Sequence, residues 1–212
     1  MKKIRLLLLI VIMIEVLLPT CKKGENDPFL SLRSRKAKIT GEWKLKSGNS
    51  SYTYNDTTET ITYHETKVDV VYSTSDSGTI ASVSISYTER WTINKDYSFK
   101  IIQNNFDYYI EYSGYWNFYY KDKELDLKNK EAIIFRVTSK KIVYTISGVN
   151  NSDYTYSGTY CPTFLFFIDK LTNKEIIVKY EGTSIWPYSS ESGKATMTLN
   201  RKKGKSSKEG FF

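Results

Sequence analysis

Between Ala81 and Ile93 apolar and polar side chains take turns. Ala81, Val83, Ile85, Tyr87, Trp91 and Ile93 share one parity, broken only by Glu89, while Ser82, Ser84, Ser86, Thr88, Arg90 and Thr92 hold the other. A period of two sends successive side chains to opposite faces of a strand, so this stretch predicts a strand with one buried face. The pattern recurs in Tyr97, Phe99 and Ile101 and, past Asn104-Asn105, in Tyr108, Ile110, Tyr112, Gly114, Trp116 and Phe118. Ile133, Phe135 and Val137 lead through Ser139-Lys140 into Ile142, Tyr144 and Ile146, which predicts a hairpin. Tyr154, Tyr156, Gly158 and Tyr160 run on to Phe164, Phe166 and Ile168. Pro162 inside that run implies a bulge or an edge, because proline has no N–H for the ladder. Ile176, Val178 and Tyr180, then Ala195, Met197 and Leu199, close the series, and Trp43-Leu45, Ile61-Tyr63, Val68-Val70-Tyr72 and Leu125-Leu127 supply shorter pieces.

These segments amount to about eight to ten consecutive antiparallel strands with no helix after the N-terminal region. A meander of that length must close or split into two sheets, since open edges invite association with other chains. The expectation is an all-β, up-and-down barrel over residues 39–200. Gly48 to Thr60 and Ser73 to Thr79, rich in Ser, Thr, Asn, Asp and Gly, read as long loops or ragged strand ends.

The N-terminus has a different logic. Lys2, Lys3 and Arg5 precede an apolar run from Leu6 to Leu18, interrupted only by Glu15. A charged segment before a short apolar one is the form of an export signal, and the run is too short to span about 30 Å of hydrocarbon as a helix. Leu18-Pro19-Thr20-Cys21 resembles the lipobox of bacterial lipoproteins, with Thr20 where a smaller residue is usual. That resemblance implies a signal over residues 1–20 and acylation of Cys21, which leaves Cys161 without a disulfide partner. Residues 21–38, charged and holding Pro28, read as a tether between lipid and fold. The implied location is the cell envelope of a Gram-negative bacterium, lipid-anchored to the outer membrane, with the periplasmic or surface side left open.

The net charge of +8 suggests nucleic acid until it is divided by position. Residues 1–20 carry +2, residues 21–38 carry +4, and the tail 201–212 carries +4, so residues 39–200 carry −2. The folded part is therefore not basic, and a nucleic-acid groove is excluded in favour of solvated ends, or ends close to anionic head groups.

Lys38-Ile39-Thr40-Gly41-Glu42-Trp43-Lys44-Leu45 resembles the G-x-W entry motif of lipocalins, in which Gly permits a tight chain path and Trp plugs the closed end of the barrel. The segment from Asp27 to Lys38, together with Gly114-Tyr115-Trp116-Asn117-Phe118 and the stretch from Ile134 to Val143, is similar to a group of lipocalin-like lipoproteins of Bacteroidetes. The resemblance implies that Gly41 and Trp43 form the barrel entry and that Arg201, after the last strand, stacks on Trp43. It departs from the family in two places. Phe106-Asp107-Tyr108-Tyr109 stands where lipocalins carry T-D-Y, and a C-terminal helix is missing.

Catalytic chemistry is poorly supplied. His64 is the only histidine, set among Tyr63, Glu65 and Thr66, and a nucleophile triad needs a base held by a third group. Zinc lacks ligands, and no glycine-rich loop precedes a helix, so neither metal nor cofactor is expected. Asp122 with Glu124, or Asp107 with Glu111, could form a carboxylate pair, but their places beside turns suit solvated charges. Cys161 reads as a small buried residue. The 18 tyrosines and 4 tryptophans are the unusual feature. Tyr87, Trp91, Tyr112, Trp116, Tyr154 and Tyr156 are the residues expected to line a barrel mouth for a small hydrophobic ligand. The expected function is noncatalytic ligand binding on a lipid anchor. The alternative is an interaction or adhesion module with a filled barrel and exposed aromatic patches. A membrane-spanning barrel, suggested by the alternation and by Phe212, is disfavoured by the charged, Ser- and Gly-rich stretch from Arg201 to Gly210.

Overall fold

The computed structural model describes residues 34–54, 56–74, 78–119, 132–146, 149–158, 161–183 and 192–202. Its first element is a single helical turn, α1 (Arg35–Ile39), capped by Ser34, whose hydroxyl accepts the Ala37 N–H at 3.2 Å. Sequence reading places Arg35 to Lys38 in the tether and Ile39 at the start of the barrel, and expects no helix. The turn forms because the Ser34 cap satisfies a free N–H while Arg35, Lys38 and Ile39 are buried under the barrel. The strands follow as β1 (Gly41–Tyr54), β2 (Thr57–Tyr63), β3 (Lys67–Thr74), β4 (Gly78–Ile93), β5 (Ser98–Asn105), β6 (Tyr108–Phe118), β7 (Ala132–Ile146), β8 (Val149–Ser157), β9 (Thr163–Leu171), β10 (Glu175–Thr183) and β11 (Ser192–Arg201).

All strand pairs are antiparallel, and the sheet closes into a barrel, as the alternation predicts. Ten strands form the ring, with β8 outside it on β7. The ring narrows at one end. There Gly41 to Lys44 of β1 pair directly with Arg90 to Ile93 of β4, which bypasses β2 and β3 and leaves eight strands around. Further along, β1 turns to β2 from Gly48 onward, and β3 pairs the outer half of β4. A barrel's diameter grows with strand number, so the inserted hairpin widens the opposite end.

Four local expectations change. The Ser/Thr-rich stretch from Gly48 to Thr60 is mostly strand, because Tyr63 to Thr57 on one side and Met197 to Gly193 on the other complete its ladder, and Thr suits a pleated surface. Ser139-Lys140 is not a turn. β7 runs straight through it, and the register against β6 jumps from Ser139 to Val137 with Thr138 left over. That bulge switches parity, so Ile133, Phe135 and Val137 point inward before it and Lys140 and Ile142 after it. Around Pro162 the chain breaks into β8 and β9, which pair with successive halves of the same strand, β7. On β4, burial is confined to the inner half, and Val83 is 45% exposed.

The narrow end is packed solid. Trp91, Phe135, Phe99 and Phe166 meet edge to face or tilted, with centroids 4.8–6.0 Å apart. Ile93, Ile133, Leu171, Ile176 and Leu199 fill the spaces between them.

Candidate functional site

Two clusters of the predicted residues sit at the narrow end. The Trp43 indole N–H donates to the Ile39 carbonyl at 2.7 Å, fixing the buried ring beneath the barrel floor. Arg201 lies over that ring, its guanidinium carbon 4.4 Å from the centroid. It donates from Nη1 to the Thr40 carbonyl at 2.9 Å and from Nη2 to the Lys38 carbonyl. Gly41 makes room for this. Its φ is +139°, and a Cβ there would lie 2.5 Å from Arg201 Nη1. Trp116 is the second plug. Its indole donates to the Asn94 carbonyl at 2.9 Å and its ring packs between Tyr97 and Phe118.

The interior opens above this packing. A cavity of about 40 Å³ runs from Trp91 and Ile101 toward Tyr52 and Ala195, in the direction of the wide end. Rings of Tyr63, Tyr112, Phe164 and Phe166 wall it, with Met197 on the β11 side. Its polar part is Glu89 with Gln103, both buried. The Glu89 carboxyl accepts from the Tyr87 hydroxyl at 2.5 Å, the Trp91 indole at 2.5 Å and the Gln103 amide at 3.2 Å. Burial pushes its pKa above the usual carboxylate value, and these three hydrogen bonds offset that only in part. Burial, with the Glu89 charge behind it, likewise raises the Tyr87 phenol well above its ordinary value. Gln103 Oε1 is buried without a hydrogen-bond partner among the described residues.

Of the six aromatic residues expected to line a mouth, Trp91 and Tyr112 do so. Tyr87 is buried one layer out, bonded to Glu89 and packed on Tyr63 at 5.7 Å. Trp116 belongs to the narrow end, where it pairs with Phe135 of β7 and donates its backbone N–H to the Tyr97 carbonyl at 2.8 Å and its indole N–H to the Asn94 carbonyl. Tyr154 and Tyr156 are 48% and 41% exposed, since β8 lies outside the ring. Sequence reading misses Glu89, Gln103, Tyr52 and Tyr63 as site residues. The signal for Glu89 is present as the one acidic residue on the inward parity of β4.

Next to the pocket, Lys140 is buried, with its ammonium 5.7 Å from the Tyr112 ring and 5.9 Å from the Tyr156 ring. Burial lowers its pKa, and the nearby Cys161 thiol opposes the shift. Cys161 itself is half-buried, with its thiol 3.5 Å from the Tyr156 carbonyl.

The remaining candidates are surface groups. Asp69 stands between His64 and Ser84, at 2.8 Å and 2.6 Å, so the histidine faces a carboxylate and not the hydroxyl. The Ser84 hydroxyl, with Lys67 and His64, holds Asp69 down to about 2. Glu111 is drawn to Lys100 at 2.8 Å and takes the Tyr109 hydroxyl, which leaves no pairing with Asp107. Burial of Glu111 works against these bonds, and its pKa is lowered on balance. Among the described residues no three His, Cys, Asp or Glu side chains are grouped to hold a metal. Cys21, the signal, Leu125-Leu127, Asp122 with Glu124 and the tail beyond Lys202 lie outside the described residues.

The fold and the pocket together define a closed, tapered β-barrel with one polar point in an aromatic interior. Comparison with family models and with curated proteins finds no match to this chain.

Proposed function

We propose that this protein is a lipid-anchored, lipocalin-like binding protein of the cell envelope that takes a small, largely apolar molecule into its barrel without catalysis. One observation carries the reading: the widened half of the barrel keeps a ring-walled cavity, although the narrow half is packed solid. A buried acceptor left without a donor costs about 1–3 kcal/mol, and Gln103 Oε1 is such an acceptor at the cavity wall, which suits an atom supplied from outside. The modest volume suits a compact group, well above the 10–15 Å³, roughly, that one water needs. Anchoring through Cys21 rests on the lipobox resemblance, and α1, the first described element, lies at the narrow end, where Arg201 donates to the Lys38 carbonyl.

The test is displacement of a hydrophobic fluorescent probe from the purified protein, compared with Ala195→Trp, which fills the cavity without removing a packing partner. Binding by the native chain and its loss in the variant are the expected results. Equal binding by both would end the pocket reading. An interaction module is the second reading, favoured by Phe106 at 70% and Tyr115 at 59% exposure. It predicts that Ala195→Trp leaves all partners bound while Phe106→Ser releases one.

A further inference from the structure

The polar wall of the cavity has a definite sign. Glu89 contributes two carboxyl oxygens and Gln103 one amide oxygen, and the three groups bonded to the carboxyl are a phenol, an indole and an amide, all uncharged. Among the described residues no lysine or arginine pairs with Glu89. Acceptors are therefore in excess at this point, and no positive charge among the described residues offsets Glu89 when it ionises. An anion disfavours that ionisation, and a neutral donor satisfies Gln103 Oε1 but leaves an ionised carboxylate uncompensated. The walls are complementary to positive charge as well. The Trp91 and Tyr63 rings border the same space, and ring faces attract a desolvated cation, whereas the Tyr112 ring already has the Lys140 ammonium 5.7 Å from its centroid. The cavity's small volume restricts the charged part to a compact head.

We infer that the pocket binds an organic cation of the primary-amine class, whose ammonium donates to Glu89 and to Gln103 Oε1 while its apolar body lies against Phe164 and Phe166. This rests on the pocket reading above and narrows its ligand class. An ammonium supplies three donors, which matches the acceptors on offer, and its charge returns Glu89 to the ionised form inside the protein.

Benzylamine and benzyl alcohol have nearly the same shape and differ in charge at neutral pH, so they separate the two ideas. Calorimetric titration of the full-length protein in detergent, at pH 7 and low salt, should show the amine binding at least about tenfold more tightly than the alcohol. Glu89→Gln should remove that preference and leave the alcohol's affinity within about threefold. Equal affinities, or tighter binding of the alcohol, overturn the cation assignment, and the native-protein comparison decides this even if the variant does not fold. If neither benzyl compound binds while the hydrophobic probe does, the assignment fails and the pocket stands. If the probe fails too, both fall.

Discussion

The guanidinium of Arg201 lies 4.4 Å from the Trp43 ring centroid while its two terminal nitrogens hold the carbonyls of Thr40 and Lys38. The last strand thus clamps the turn that leads into the first, and Trp43 is fixed from both sides. Truncation of this fork removes a stacked cation and two charge-assisted hydrogen bonds. Arg201→Ala should cost about 2–4 kcal/mol in urea unfolding. Arg201→Lys should recover less than half of that, because a lysine cannot span two carbonyls as a planar fork does. Full recovery by lysine would show that charge alone matters here.

Gly114 tests the bulge that separates the two halves of β7. A Cβ at that position would lie 2.1 Å from the Arg136 carbonyl oxygen and 2.9 Å from the Thr138 nitrogen, both backbone atoms that cannot swing aside. Gly114→Ala should destabilise by about 3 kcal/mol, more than overpacking against a mobile side chain would. Gly114→Ala combined with deletion of Thr138 should restore part of the loss, since the strand then pairs without its extra residue. A single substitution with unchanged melting temperature would contradict the bulge.

Closure and most strands were legible because alternation on Tyr87 to Ile93, Phe99 to Ile101 and Phe164 to Ile168 maps onto buried faces. Two kinds of information were not. Parity is lost wherever a residue is inserted, so the Thr138 bulge turned a single strand into an apparent hairpin at Ser139-Lys140. Partners are also invisible to a local pattern. The first half of β2, Thr57 to Thr60, reads as loop until β1 and β3 supply its ladder, and the direct β1–β4 pairing that narrows the barrel depends on contacts far apart in sequence. The same limit hid the site. Glu89 looked like an interruption of a hydrophobic face, whereas the donors that make it tolerable, Gln103 and Trp91, come from β5 and from its own strand two residues on. Tyr154 and Tyr156 had the right parity and the wrong strand, since only topology reveals that β8 lies outside the ring.

Lys140 places a cation on the inner face of β7 with rings for neighbours and, among the described residues, no carboxylate bonded to it. Desolvation of such a group is unfavourable, and burial lowers its pKa for that reason. Lys140→Met keeps the aliphatic stem and drops the charge, so it should raise stability by about 1 kcal/mol at neutral pH. Chemical denaturation checks this, and a loss of similar size would mean that the ammonium is held by more than the tyrosine rings.

Glu89 gives the protein a pH dependence whose sign can be worked out. Its folded carboxyl titrates above the ordinary 4.5, chiefly through burial, so the folded state holds this proton more tightly than the unfolded chain. Its contribution to stability is therefore fully present below the unfolded value and is lost as pH rises through the folded one. Tyr63, Tyr87 and Tyr108 face the same carboxyl, but their phenols are raised and stay neutral across this window. Asp69, at about 2, has finished titrating below it. Glu59 is also raised by burial, yet it is common to both proteins when native and Glu89→Gln are compared. The unfolding free energy of the native protein minus that of Glu89→Gln should consequently fall as pH rises above the unfolded carboxyl's 4.5 and level off only past the raised folded value. The amide substitution mismatches one donor and shifts the whole difference by a constant, which leaves the slope to report the carboxyl alone. A difference that stays flat would mean that burial does not shift the Glu89 carboxyl, and one that rises with pH would mean that a compensating positive charge holds it ionised in the folded protein.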